Sequence, residues 1–237
     1  IAPGEDIRSV RFNGKTGFVV TFKKTDPLFT FDLSDPENPI KKGELKIPGF
    51  STYMHMIDDN HLLTIGFDAE DEGNFALFQG ILLQIFDVSD INNPVQSFKE
   101  VIGTRGSSSS AATDHLAFNY FADKNLLAIP MIVCEDEESS EYETKMTFSG
   151  LMVYRVTIAS GFLYLGGVPH KVPKNSDYYY DSDYTDYLCY NWWSASTSVV
   201  KRSIFMDDYV FSIAPDSIDI ATISDLANPF NIIKLEE

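Results

Sequence analysis

The octapeptide Asp32-Leu33-Ser34-Asp35-Pro36-Glu37-Asn38-Pro39 decides the fold class, because the chain repeats it. It returns as Asp87-Val88-Ser89-Asp90-Ile91-Asn92-Asn93-Pro94, and in altered form as Thr222-Ile223-Ser224-Asp225-Leu226-Ala227-Asn228-Pro229. Each copy follows a short apolar stretch that is rich in β-branched or aromatic residues. A fixed turn repeated between strand signals is typical of a repeat architecture.

A fourth, diverged copy lies between the second and the last. The stretch Val153–Thr157 stands where the second copy has Phe86–Ser89, and Ala159-Ser160-Gly161 replaces the Asn-Pro turn. If Asp32, Asp87, Arg155 and Thr222 are equivalent, the repeats are spaced by 55, 68 and 67 residues. Upstream of each turn the same order recurs: a strand, a tight polar turn, a more apolar strand, a variable loop and a third strand.

Four short antiparallel strands per repeat predict an all-β fold, a β-propeller with about four blades in this chain. The dipeptide Asn13-Gly14 between alternating runs is a strong hairpin signal, and no segment keeps a 3.6-residue apolar period, so we expect very little helix. A β-sandwich is the competing architecture, but it gives no reason for a repeated turn. The predicted domain covers 1–237, with blades at about 7–50, 51–106, 107–170 and 199–237 and an insertion at 171–198. The four blades either close by themselves or form part of a larger ring.

Several stretches of the chain carry a resemblance to a known family: Pro3–Phe12, Val19–Phe22, Asp26–Phe29, Gly43–Phe50, Asp59–Leu63 and Asp114-His115. They resemble the bacterial and archaeal secreted β-propeller proteins that are distantly related to WD40 repeats. The resemblance weakens over Cys134–Lys145 and Lys171–Ser198. In that family the propeller is the C-terminal part of a longer exported protein. The resemblance therefore implies the fold and a secreted or cell-surface location, and it implies little about activity because the family is largely uncharacterised.

The charge limits the partners that the chain can have. Its 35 acidic and 18 basic residues give a formal net charge of −17, which repels nucleic acid and anionic membranes. No run of eighteen apolar residues is present, so we expect no membrane span in this segment. Ile1 is not a natural start, and we expect the segment to begin inside a longer protein. The predicted partner is a protein or glycan at the cell surface, or the rest of the chain's own protein.

Cys134 and Cys189 are the two cysteines of the chain. They fit either free buried thiols or one disulfide, and their placement in two insertions on the same side favours the disulfide. By the chain-entropy model, closing a loop of this length contributes up to about 4 kcal/mol.

The predicted blade topology places all the long insertions on one face. In a propeller, the turns between the first and second strands and between the third and fourth strands emerge on one face; all other connections emerge on the opposite face. The irregular segments Asp68–Gln79, Cys134–Thr147 and Val168–Ser198 all belong to the opposite face. Insertions clustered on one face often mark the binding face of a repeat protein. The alternative is loop growth without a function.

The longest insertion interleaves acidic and aromatic residues, and three interpretations compete for it. Asp181, Asp183 and Asp186 come nearest to a Ca²⁺ site, since Ca²⁺ takes six to eight oxygen ligands. An aromatic platform for sugar or peptide is the second interpretation, because exposed Tyr and Trp combine large contact areas with polar groups. The third is a set of solvated acidic loops with the aromatic residues packed as a lid. The predicted ligand-binding residues are Tyr178, Tyr180, Tyr184, Tyr187, Trp192 and Trp193.

The four histidines have no pattern of a catalytic site. His55 and His115 fall on predicted first strands, which line the channel of a propeller, and they could bind a metal with Asp114 as a partner. The favoured interpretation is structural, since buried histidines bond between strands in WD40-like blades. We expect His61 to be exposed at a turn, and His170 has no obvious partner.

No motif of a hydrolase or of a phosphate-binding loop occurs, so we assign no catalytic residue. The stretch Ser107–Ser110 is predicted to be a loop of small polar residues. The prediction for function is a non-catalytic secreted or cell-surface module for binding or scaffolding, with a ligand face of acidic and aromatic insertions. The alternative is an enzyme that processes glycans or peptides with carboxylates near the channel.

Overall fold

The computed structural model describes residues 2–22, 26–71, 76–136, 144–171, 189 and 198–235. The strands form four antiparallel sheets of four strands each, and within each sheet the strands lie in chain order. Besides strands, the described ranges contain 3-10 helices of three residues, at Ser110–Ala112, His115–Ala117 and Ala122–Lys124. No helix in these ranges is long and apolar enough to cross a membrane. The predicted all-β fold with four-stranded antiparallel blades is confirmed.

Each sheet is a meander of consecutive strands. Sheet one consists of β1 (Asp6–Asn13), β2 (Thr16–Phe22), β3 (Asp26–Asp32) and β4 (Ile40–Ile47). Sheet two consists of β5 (Phe50–Asp58), β6 (His61–Asp71), β7 (Ala76–Asp87) and β8 (Val95–Ile102). Sheet three consists of β9 (Asn119–Phe121), β10 (Leu126–Asp136), β11 (Thr144–Thr157) and β12 (Gly161–Pro169). Sheet four consists of β13 (Arg202–Met206), β14 (Tyr209–Ile213), β15 (Ser217–Thr222) and β16 (Asn231–Lys234).

The chain divides into two compact units, one containing sheets one and two and the other sheets three and four. In each unit, apolar side chains of two successive sheets meet in a buried cluster. In the first unit Phe18 and Leu28 of sheet one pack with Leu62 and Phe86 of sheet two. Removing that much apolar surface from water is the main stabilising contribution to such a pair of sheets.

The second unit has the corresponding cluster between sheets three and four. Leu126 and Val153 of sheet three share it with Val210 and Ala221 of sheet four. The strand β10 is buried without interruption from Leu126 to Cys134, which is expected for a strand covered on both faces. These two-sided strands explain why the second strand of each repeat has the more apolar sequence.

Local hydrogen bonds explain why the repeated turn keeps its sequence. The Asn38 amide donates to Asp35 Oδ2 at 2.8 Å, and the Asn93 amide donates to Asp90 Oδ2 at the same distance. The last copy repeats the bond, from Asn228 to Asp225 Oδ1 at 2.8 Å. Because each of these bonds joins two residues of the same turn, the turn is stabilised locally and does not need tertiary contacts to bend the chain.

The first residue of the turn has a second role. Asp32 Oδ1 accepts the Ser34 N–H at 2.9 Å, and Asp87 Oδ1 accepts the Ser89 N–H at 2.9 Å. The bonds from Ser34 lower the pKa of Asp32, and the bonds from Ser89 lower the pKa of Asp87. These carboxylates therefore stay ionised and belong to the turn.

The prediction that His115 lies on the first strand of sheet three is wrong. The strand β9 covers only Asn119–Phe121, and His115 lies in a 3-10 helix. The cause is a side-chain cap: Asp114 Oδ1 accepts the Leu116 N–H at 3.0 Å and starts the helix. His115 is therefore not a channel-strand residue equivalent to His55.

Two of the predicted long loops begin as extensions of hairpins. The strands β6 and β7 reach Asp71 and Ala76, inside the segment predicted to be the loop Asp68–Gln79. The strands β10 and β11 reach Asp136 and Thr144, inside the predicted loop Cys134–Thr147. In both hairpins the cross-strand pairing continues into acidic residues, Glu70-Asp71 of β6 and Glu135-Asp136 of β10, and the apolar pattern alone could not reveal this.

The stretch Ser107–Ser110 is buried, although it was predicted as a simple polar loop. Ser108 forms an isolated bridge with Ile132, and Ser109 Oγ donates to the Pro130 carbonyl at 2.6 Å. Ser107 Oγ accepts the Cys134 N–H at 2.9 Å. Small hydroxyl side chains fit here because they satisfy the backbone groups of β10 without adding bulk.

A disulfide joins Cys134 of β10 to Cys189, with the two Cα atoms 6.0 Å apart. Both cysteines are buried, in a cluster with Ile132 and against Met146. Gly106 lies so close that a Cβ there would be 2.4 Å from the Cys189 carbonyl oxygen, and its φ of +99° also favours glycine. The disulfide thus attaches a point of the long insertion to sheet three.

Reduction of this disulfide should lower the free energy of unfolding by up to about 4 kcal/mol, because it reopens a 55-residue loop in the unfolded chain. Urea unfolding with and without a phosphine reductant measures the change. The double variant C134S/C189S is the control, and its midpoint should not respond to the reductant. An unchanged wild-type midpoint after mass spectrometry has shown both thiols reduced would contradict the prediction.

Candidate functional site

The residues predicted to bind a ligand or Ca²⁺ lie outside the described residues. They are Tyr178, Tyr180, Tyr184, Tyr187, Trp192 and Trp193 for the aromatic platform, and Asp181, Asp183 and Asp186 for the metal. Both hypotheses therefore stay predictions. In the ranges that the structure describes, no group of three or more His, Cys, Asp or Glu side chains is placed to hold a metal ion.

Three of the four histidines are near strands, and their surroundings differ. His55 lies on β5 as predicted, and burial, followed by the charge of Arg11, lowers its pKa. His61 is less exposed than expected, since its Nδ1 is 2.8 Å from Asp58 Oδ1 and its side chain is 19% exposed. It thereby closes the turn between β5 and β6.

His170 has partners that the sequence did not reveal. Its Nε2 is hydrogen-bonded to Ser212 Oγ at 2.8 Å and lies 3.8 Å from Asp219 Oδ2. All three side chains are buried, and Ser212 and Asp219 are directly paired across β14 and β15. Burial lowers the pKa of His170, and the charges of Asp219 and Asp216 offset this in part. The imidazole is therefore neutral at pH 7.

Sheet two has a related buried group at the equivalent positions. Thr64 and Gln84 pair across β6 and β7 as Ser212 and Asp219 pair in sheet four. The Ser51 hydroxyl completes this group, 3.0 Å from Thr64 Oγ1 and 3.3 Å from Gln84 Oε1. The third member of the group comes from the first strand, β5, in sheet two and from the connection after β12 in sheet four, and both groups support the fold.

The group around His170 does not have the geometry of a catalytic triad. In a triad the serine and the carboxylate bond opposite nitrogens of the imidazole, which allows the ring to relay a proton. Here both Ser212 Oγ and Asp219 Oδ2 face Nε2, and the serine has no exposed surface. A nucleophile must also be reachable by its substrate. The group therefore acts as a buried hydrogen-bond network.

A surface pocket of about 540 Å³ lies between sheets three and four at the end where their tight turns emerge. Hereafter it is the turn-side pocket. Its size is within the range of about 300–1,000 Å³ that is usual for small-molecule sites. Its lining residues are Lys124, Leu126, Arg155, Leu165, Asp208, Ile223 and Ser224.

The apolar wall of the turn-side pocket is the edge of the core of the second unit. Leu126 belongs to the buried cluster, and Leu165 and Ile223 pack against it while remaining partly open. The polar groups come from short turns at the ends of strands. A pocket built from turns that are held by a paired core is largely preformed, which lowers the cost of binding.

Arg155 reaches the turn-side pocket because of its register. It pairs with Leu126, as Val153 pairs with Ala128, so its side chain lies on the face that packs against sheet four. Equivalent positions in the first two repeats hold Asp32 and Asp87, which bond their own turns. Arg155 is exposed, and within the described part of the chain its guanidinium has no ion pair or hydrogen bond.

The other charges of the turn-side pocket are already paired. Lys124 Nζ lies 2.8 Å from Asp208 Oδ1 and also donates to the Asp207 carbonyl. Asp208 is 87% exposed, so this surface pair contributes little to stability. With Lys124 and Asp208 cancelling, Arg155 leaves one uncompensated positive charge at the pocket.

The turn-side pocket was not predicted from the sequence. The signal that the sequence holds is Arg155 in the repeat register of Asp32 and Asp87, where the charge is reversed. The predicted binding face was the opposite one, where the insertions emerge. What the sequence could not show is that Lys124, Arg155 and Asp208 meet, since they belong to three separate turns.

A family model described as "Beta propeller domain" matches residues 1–226. Two curated relatives are uncharacterised archaeal proteins. One, from Archaeoglobus fulgidus, is 41% identical over 126 residues, which cover 53% of this chain and 19% of that protein. The other, MJ1554 of Methanocaldococcus jannaschii, is 47% identical over 91 residues, which cover 38% of this chain and 13% of that protein. The matched segments thus cover less than a fifth of the length of either relative.

The solved structures that are similar to this chain differ from it widely in sequence. Cobalt-substituted Synechocystis ACO has 11% identity and a TM-score of 0.37, over 97% of this chain and 49% of that one. The N-terminal domain of Nup159 has 9% identity and a TM-score of 0.25, over 95% of this chain and 63% of that one. Similarities at this level carry no functional inference.

The buried neutral His170 should make the protein less stable in mild acid. Its folded pKa is lowered below the ordinary value of 6.5, so below pH 6.5 the unfolded chain binds a proton that the folded chain does not. The free energy of unfolding then falls with falling pH, by at most about 1.4 kcal/mol per pH unit for this one proton.

Urea unfolding of the wild type and of H170Q between pH 7.5 and 5.5 measures the effect. H170Q is expected to be less stable at every pH because it loses the bond between His170 and Ser212. The comparison therefore uses the slope of the free energy of unfolding against pH and not its absolute value. The slope should be shallower in H170Q. H55Q serves as a comparison, because His55 is also buried with a lowered pKa. Equal slopes for wild type and H170Q would show that His170 is not the group responsible.

Proposed function

The chain belongs to the β-propeller domain family, and from this premise we propose that it is a non-catalytic module for binding or scaffolding in a secreted or cell-surface protein. The observation that carries the proposal is the turn-side pocket, with its apolar wall and the unpaired guanidinium of Arg155. Pockets that combine an apolar lining with a few polar groups are the usual sites for ligands.

The chemistry of the described residues supports binding over catalysis. General acid–base catalysis needs a titratable group within reach of the substrate, and nucleophilic catalysis needs a base beside the nucleophile. Among the described lining residues of the turn-side pocket, Ser224 supplies the hydroxyl group, which is 3.2 Å from the Thr222 hydroxyl. The titratable side chains Lys124 and Asp208 are paired with each other and not with this serine. The buried network around His170 is closed to substrate.

The insertions remain a second part of the proposed binding surface. We place the aromatic platform and the acidic residues of the long insertion on the opposite face, with a protein or glycan as the partner. The disulfide at Cys189 would hold that insertion to sheet three. Binding at the turn-side pocket and binding at the insertions are independent, and each can be tested alone.

Small organic fragments should bind the turn-side pocket, as methyl NMR can measure. In protein with labelled Leu and Ile methyl groups, a fragment set of mixed charge should shift the signals of Leu126, Leu165 and Ile223. The substitution S224W should fill the rim and reduce these shifts, because Ser224 lines the pocket. S34W adds the same bulk at the equivalent exposed turn position of sheet one and is the matched control.

Two results would contradict the proposed function. One is that no fragment of any charge shifts the three methyl signals in the wild type. The other is turnover of a peptide or glycan substrate that is lost in S212A, which would make the His170 network catalytic.

A further inference from the structure

We propose that the turn-side pocket receives the carboxylate of a ligand that also carries a small apolar group, with Arg155 as the residue that binds the carboxylate. This inference rests on the proposed binding function and adds the chemical class of the ligand. It follows from three properties of the pocket: one free guanidinium, one net positive charge and one apolar wall.

The free guanidinium is the first property. In the turns at Asp32 and Asp87, the carboxylate at this position accepts a backbone N–H of the turn. A guanidinium has no acceptor atom, so Arg155 cannot stabilise its own turn in this way. The diverged turn after Arg155 uses Gly161, at a φ of +73°, and has no Asp–Asn bond. A guanidinium offers a planar fork of donors that matches the two oxygens of a carboxylate.

The charge balance is the second property, and it separates a carboxylate from a phosphate. The pocket has one uncompensated positive charge, because Lys124 is paired with Asp208 at 2.8 Å. A phosphate monoester carries a charge of roughly −1.5 to −2 at pH 7. The Asp208 carboxylate on the rim would repel the additional negative charge. A singly charged carboxylate matches the pocket.

The apolar wall is the third property. Leu165 and Ile223 present carbon surface in the pocket that Arg155 also lines, and Leu126 lies buried behind them. A ligand with only a charge would leave that wall in water, whereas an aliphatic or aromatic group next to the carboxylate would cover it. Two sources have this chemistry: the C-terminal residue of a peptide with an apolar side chain, and a free organic acid.

The test compares two probes of the same shape and different charge. N-acetyl-leucine has a carboxylate, and N-acetyl-leucinamide replaces it by a neutral amide. Methyl NMR titrations of the wild type should give a dissociation constant that is about 10- to 100-fold lower for the acid, the range expected for hydrogen bonds to a charged group. Both probes should shift the methyl signals of Leu126, Leu165 and Ile223.

Three variants assign the discrimination to Arg155. R155Q removes the charge, and R155D restores the residue that the first two repeats have at this position, so both should lose the preference for the acid. K145Q is the matched control: Lys145 is exposed on the same strand, and its loss changes the net charge by the same amount. K145Q should keep the preference. Unchanged methyl spectra of the free variants show that each is folded.

The outcomes separate this inference from the proposed function. Equal affinity for acid and amide would overturn the carboxylate assignment while the binding function stands on the fragment result. A preference for the acid that survives in R155Q and R155D would overturn the role of Arg155. The absence of any shift with either probe would overturn the inference as a whole. In the supporting case, a peptide ending in leucine and 4-methylpentanoate are compared, and the tighter ligand identifies the source.

Discussion

Strand register is the constraint on which the rest of this structure depends, because a slip by one residue would turn every side chain to the other face of its sheet. In sheets one, two and four the turn between the third and fourth strands is held by a bond that needs no tertiary partner, such as Asn38 to Asp35. In all four sheets the first residue of this turn pairs with the first residue of the second strand. These pairs are Asp32 with Thr16, Asp87 with His61, Arg155 with Leu126 and Thr222 with Tyr209. Since the backbone pairing is the same in the four sheets, a change of residue type at this position changes the charge and hydrogen-bonding groups of the side chain and not the position of its backbone.

The same register also explains the buried polar groups. One position along the strands is apolar in sheets one and three and polar in sheets two and four, where Thr64–Gln84 and Ser212–Asp219 pair. Buried polar groups destabilise a fold unless they find partners. Ser51 of β5 is a partner of Thr64 and Gln84, and His170, which follows β12, is the partner of Ser212. Among the described residues, Gln84 Nε2 and Asp219 Oδ1 stay without a hydrogen-bond partner. The bond between His170 and Ser212 gives these two residue types a structural role, although with Asp219 they are the residue types of a serine hydrolase.

The turn-side pocket shows how a repeat fold can acquire a ligand site with few changes. Its apolar wall is core that two sheets need in any case, and its Lys124–Asp208 pair lies on turns that need polar residues. The change that supplies a cation is Arg155, at the position that holds Asp32 and Asp87 in the first two repeats.

The sequence by itself determined the architecture: the repeated turn, the Asn-Gly hairpin and the apolar second strands predict the blades with most strands placed within a few residues. The sequence predicted the start of a strand less well where a side chain caps a helix. At Asp114 the bond from the Leu116 N–H starts a 3-10 helix where a strand was predicted. The sequence also contained the reversed charge at Arg155 without showing its use. Only the tertiary structure decided that His170 meets Ser212, and that Lys124, Arg155 and Asp208 line one pocket. The physical reason is that local hydrogen bonds and strand periodicity act between near neighbours and leave a signal in the sequence, whereas contacts between sheets join residues tens of positions apart whose spacing follows from packing.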